Sequence, residues 1–96
     1  MKRKREEPIS TLLMQFLREQ GLETPLLEYR IIKAWSEVAG PTVSKYTGQL
    51  YIREGVLYVQ IKSPSLRQNL SMYQSELTER LNNQVKSRVI NSVHFF

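Results

Sequence analysis

The chain has 96 residues, 41% of them hydrophobic and 24% charged, with 14 Lys and Arg against 9 acidic residues for a net charge of +5, and no cysteine. That length and apolar share support one core, but not a core together with a deep substrate cavity. Disulfides and cysteine-based zinc sites are excluded, no apolar run approaches the length of a membrane span, and the basic balance favours polyanionic partners.

Residues 1–7 have no apolar periodicity and carry Lys2, Arg3, Lys4 and Arg5. Glu6, Glu7 and Pro8 follow where a secretory leader would place an apolar stretch, so the segment reads as a flexible basic arm and the expected location is the cytoplasm. Residues 8–96 read as a single α+β domain. A first helix is expected from Ile9 to Gln20, with Leu12, Leu13, Phe16 and Leu17 on one stripe and Gly21 just beyond its end. Thr24-Pro25 opens a second helix to about Val38, whose Leu27, Ile31, Trp35 and Val38 recur at spacings of 4, 4 and 3. Trp35 on that inner stripe reads as a core residue, and Gly40-Pro41 reads as the stop.

The period then changes from helical to alternating. Leu50 and Ile52 share one face of a strand over 49–53, and Leu57, Val59 and Ile61 share one face of a strand over 56–62, across a Glu54-Gly55 turn. Two short alternating runs about a glycine-containing turn make a β-hairpin. Ser63-Pro64-Ser65 opens one long amphipathic helix, with Leu66, Leu70, Tyr73, Leu77 and Leu81 as its stripe and Asn82-Asn83 near its end. A last strand is expected over 89–96, with Val89, Val93 and Phe95 facing the core and Ile90, Ser92 and His94 facing out. The result is a three-stranded sheet with helices on one face. The last strand pairs either parallel beside the second strand or antiparallel beside the first, and periodicity does not decide between them.

The chain has no Asp, no Cys and one His, His94, near its end. A nucleophile–base–orienter constellation has nothing to be built from, the glutamates are scattered over helix surfaces, and zinc lacks nitrogen and sulfur ligands. No catalytic residue, metal ligand or cofactor is expected. What remains is the outer sheet face: Tyr51, Arg53, Tyr58, Gln60 and Lys62, extended by Arg88 and His94. Rings interleaved with cations suit nucleic acid, because bases stack on the rings and phosphates pair with the cations. Tyr and Arg also suit any half-exposed strand, and the same pair is enriched at protein interfaces.

Trp35, Val38, Gly40-Pro41 and Thr47, then Gly55 with Leu57 and Val59, then Ser63-Pro64, Leu66, Leu70, Leu77, Leu81 and Asn82 give the chain a further character. In that order they resemble the DciA family, over residues 9–95. The resemblance implies a KH-like fold, a non-enzymatic role as loader or operator of the bacterial replicative helicase, and association with DNA, single- or double-stranded; the residues themselves leave DNA and RNA both open, and the short apolar runs give no reason to expect a membrane partner. Two departures accompany it: the GxxG loop with which KH domains clamp a nucleic-acid backbone is missing, and the sequence ends at Phe96 where longer relatives continue. The candidate nucleic-acid-binding residues are Lys2, Arg3, Lys4, Arg5, Tyr51, Arg53, Tyr58, Lys62 and Arg88. The alternative is a protein-interaction module with no direct nucleic-acid contact.

Overall fold

The helical and alternating patterns resolve into five helices and three strands in the computed structural model, which describes residues 9–21 and 23–96. In chain order these are α1 (Ile9–Glu19), α2 (Glu23–Ala39), α3 (Pro41–Lys45), β1 (Thr47–Arg53), β2 (Val56–Ile61), α4 (Pro64–Ser71), α5 (Gln74–Val85) and β3 (Ser92–Phe95). The arm at Lys2, Arg3, Lys4 and Arg5 lies outside the described residues.

β2 is the central strand. It pairs antiparallel with β1, placing Tyr51 opposite Tyr58 and Ile52 opposite Leu57. It pairs parallel with β3, placing Leu57 beside Val93 and Tyr58 beside His94. The open choice for the last strand is therefore resolved in favour of the parallel pairing beside β2. Leu57, Val59, Ile61, Val93 and Phe95 bury one sheet face against Ile31, Ala34 and Trp35 of α2 and Leu77 and Leu81 of α5, so the helices cover one face as expected.

Trp35 sits at the centre, 1% exposed. Its indole Nε1–H donates to Thr47 Oγ1 at 3.1 Å, and that hydroxyl donates to the Val43 carbonyl at 2.8 Å. The large apolar side chain is thus buried without orphaning its one polar atom. Thr47 is also the start of β1, two residues before the alternation becomes regular. The register shifts between Thr47 and Leu50, and Gln60 Oε1 accepts the Gln49 backbone N–H at 3.0 Å across that bulge.

Several sequence expectations are corrected. Gly40, at φ 93°, does end α2, but Pro41 then opens a further short helix, for which its fixed φ is preorganised. The long third helix is two helices, α4 and α5, separated at Met72–Tyr73. α4 is held to the end of β2: Ser63 Oγ accepts the Leu66 N–H at 3.3 Å, and Arg67 Nη1 donates to the Ile61 carbonyl at 2.8 Å. α5 packs instead along α2. One straight rod cannot meet both neighbours, and Ser71, whose hydroxyl bonds back to the Arg67 carbonyl at 3.0 Å, lies at the bend. Met72 and Tyr73 are accordingly exposed.

The last strand is shorter than expected, and Ile90 is fully buried rather than facing out. Asn82 is the cause. Its Oδ1 accepts the N–H groups of Val89 (3.0 Å) and Ile90 (3.1 Å), and its Nδ2 donates to the Ile90 carbonyl at 2.9 Å. These bonds hold 89–90 as a loop against α5, so strand alternation does not begin until Ser92. The apolar stripe of α1 also departs from expectation: Leu12, Leu13 and Phe16 are 53%, 47% and 55% exposed, while the side chain of Leu17 lies outside those described. Arg18 joins α1 to α2 through Glu23 Oε2 at 2.9 Å. That hydrogen bond holds the Glu23 carboxyl below its usual range and raises the Arg18 guanidinium above its own.

Candidate functional site

The face of the sheet turned away from the helices is built by period-2 alternation in all three strands. Tyr51, Tyr58 and His94 are direct neighbours across β1, β2 and β3. The two tyrosine rings stack with centroids 4.9 Å apart and planes 16° from parallel. His94 meets Tyr58 edge-on at 5.6 Å and 71°, and Phe96 meets Tyr51 at 6.2 Å and 60°. Four rings thus form one connected aromatic surface. Tyr51 remains 40% and Phe96 38% exposed. Tyr51 is on the edge strand β1 and spends one ring face on Tyr58.

Cations flank the rings. Arg53, one exposed position beyond Tyr51 on the same face, pairs across from Val56 at the hairpin end. Lys62 is exposed at the other end of β2, where its N–H donates to the Tyr46 carbonyl at 2.8 Å. From the Val56 row to Lys62 is six residues, or roughly 20 Å of strand at about 3.3 Å per residue. Glycine leaves room beneath the Lys62 end for two long side chains. A Cβ at Gly48 would overlap Gln60 Oε1 and approach Lys62 Cε to 3.2 Å. The Gln60 side chain lies over this position, in the place where it receives the Gln49 N–H.

Of the sequence-predicted residues, the fold brings together Tyr51, Arg53, Tyr58 and Lys62. Arg88 is placed elsewhere: it precedes β3 and lines a recess of about 160 Å³ with Gln74, Thr78 and Glu79 of α5. Phe96 was missed as a member of the face, although it has the same parity as His94 and so was within reach of the alternation. The Gln60–Gly48 packing had no sequence signal, because it depends on a bulge. Among the described residues no three His, Cys, Asp or Glu side chains gather as a metal site requires, and no helix is long and apolar enough to cross a membrane.

An exposed aromatic row between two cations, on a mixed sheet backed by helices, can stack planar groups and pair with anions. No curated protein matches the chain. The model of the family described as "Dna[CI] antecedent, DciA" matches residues 8–95 of the 96, and the chain belongs to this DciA family of replication-associated, helicase-loader-related adaptors.

Proposed function

We propose that this chain is a non-enzymatic, cytoplasmic adaptor of DNA replication that holds single-stranded DNA on its outer sheet face and works with the replicative helicase. The observation that carries the reading is the stacked Tyr51–Tyr58 pair, extended by His94 and Phe96 and flanked by Arg53 and Lys62. Bases stack on the exposed rings in a sequence-tolerant way, and phosphates pair with the two cations. The arm residues Lys2, Arg3, Lys4 and Arg5, together with Arg88, add phosphate contacts from outside the row.

Fluorescence anisotropy with a labelled oligo-dT tests this at two salt concentrations. Binding is expected to weaken steeply with salt. Stacking contributes about 1–3 kcal/mol per base, so Y51A/Y58A should weaken binding about 10- to 100-fold or more. R53E/K62E should weaken it without changing Tm. Absence of oligo-dT binding at low salt, or unchanged binding by both double variants, overturns the assignment. The half-exposed Leu12, Leu13 and Phe16 of α1 favour a second reading, a protein-interaction module with no nucleic-acid contact. Capture of the helicase from lysate, equally strong after nuclease treatment and after Y51A/Y58A, is the outcome that selects it.

A further inference from the structure

The helix layer, on the other side of the domain from the aromatic row, carries a charged groove. α1 turns the polar side of its helix, including Arg18, toward the body. There it borders a recess of about 450 Å³ with Glu23 and Arg30 of α2 and Lys86 at the end of α5. A second recess of about 410 Å³ shares Arg30, Val85 and Lys86 with the first and continues along α2 past Tyr29, Lys33 and Glu37. The two form one groove bearing four cations and two carboxylates. Both carboxylates are engaged: Glu23 by Arg18 at 2.9 Å, and Glu37 by Gln84 Nε2 at 2.7 Å. Among the described residues Arg18–Glu23 is the one ion pair, and Arg30, Lys33 and Lys86 line the groove without a carboxylate partner from those residues. The Lys33 ammonium lies 6.0 Å over the Tyr29 ring.

Lys86 adds a second observation. It caps α5 in the left-handed region, at φ 60° and ψ 37°, where glycine is the favoured residue because it has no Cβ to crowd the carbonyl. A lysine there is strained, and its ammonium stem springs from the part of the groove common to both recesses. The apolar floor is limited to Leu27, Ala34 and Val85, which are already buried or half-buried. The groove therefore offers charge rather than a pocket for an apolar anchor.

We infer that this groove is a second nucleic-acid surface, one that takes the phosphate backbone of duplex DNA. Tyr29 is its one ring, with a lysine over it, so it lacks the stacking row that a single strand would use. Exposed point cations suit a duplex, which presents one phosphate charge per roughly 1.7 Å of axis whatever its sequence. The inference stands independently of the sheet-face reading, and the domain would engage a duplex and a single strand on opposite sides.

The test compares the full chain with K33E/K86E, K86G and Y51A/Y58A, titrated against a 20-base-pair duplex and against oligo-dT at several salt concentrations. K33E/K86E should weaken duplex binding tenfold or more and lower the log–log salt slope by about 2, since each phosphate contact contributes about 0.9. Its oligo-dT binding should change by less than about threefold, and Y51A/Y58A should show the reverse selectivity. K86G should melt about 4 °C higher, as relief of a strained cap implies for a domain of this size, while binding the duplex several-fold less tightly. A fold defect cannot produce that combination. Duplex binding unaffected by K33E/K86E and K86G, or lost in Y51A/Y58A in step with oligo-dT, overturns the inference. So does tighter binding of a polyglutamate peptide than of the duplex, which reassigns the groove to an acidic protein. Oligo-dT binding without any duplex binding overturns the groove and leaves the sheet face standing.

Discussion

The carboxamide of Asn82 closes three hydrogen bonds to the backbone of Val89 and Ile90 from a position only 6% exposed. Removing it strands two N–H groups and a carbonyl near the core, and each buried unsatisfied group costs about 1–3 kcal/mol. N82A is therefore expected to destabilise the domain by about 2–4 kcal/mol, as measured by urea unfolding, with the loss largest at the β3 end in hydrogen exchange. An N82A midpoint equal to wild type would show that water replaces the clamp. N82D is the sharper probe, because it keeps the acceptor for two N–H groups but sets an oxygen against the Ile90 carbonyl. Nothing in Asn82-Asn83-Gln84 distinguishes the first asparagine from a polar helix end. Trp35 was legible because helical spacing alone places it beside Leu27 and Ile31. Ile90 was not, because its burial follows from hydrogen bonds to a residue eight positions away.

At the level of elements, the hairpin is the most legible part of the fold. Its two alternating runs meet at Glu54-Gly55, both with positive φ, 52° and 79°. That is the two-residue turn whose twist matches the strands, and it favours Asn-Gly. E54N should stabilise the protein by about 0.5–1 kcal/mol and raise Tm without altering oligo-dT binding, since Glu54 lies beyond the aromatic row. A lower Tm would mean that the Glu54 side chain holds something the turn needs. Gly55 has no such latitude: a Cβ would lie 2.7 Å from Asn91 Nδ2, and its carbonyl accepts the Asn91 N–H at 2.6 Å. The split of α4 from α5 was not legible. The stripe Leu66, Leu70, Tyr73, Leu77, Leu81 is continuous in sequence, and only the competing attachments to β2 and α2 interrupt it. The same holds for the β1 bulge, where Gly48 simply ended the recognisable alternation.

Across the whole molecule, mass is spread along one direction. The principal extents are 52, 28 and 20 Å and the radius of gyration is 15.6 Å, against about 12.5 Å for an average domain of this length. α1 presents Leu12, Leu13 and Phe16 outward instead of folding them onto α2. L13Q/F16Q should therefore shift unfolding free energy by about 1 kcal/mol or less in total, whereas the same change in a buried stripe would cost several; a larger loss in thermal melts would place these side chains in the core. The sequence made α1 amphipathic but could not say which way its apolar side points, because that depends on how Arg18 meets Glu23 across the Gly21 turn. The parallel pairing of β3 with β2 has a consequence in time. The hairpin that stacks Tyr51 on Tyr58 closes over two residues, whereas Tyr58 and His94 meet only after a crossover through α4, α5 and the Asn82 loop. Short closures form in microseconds and distant ones are slower, so the tyrosine pair is an early product of folding and the completed four-ring surface a late one. A chain caught midway shows half a platform, and the edge-on contact of His94 with Tyr58 becomes a report that the last strand has docked.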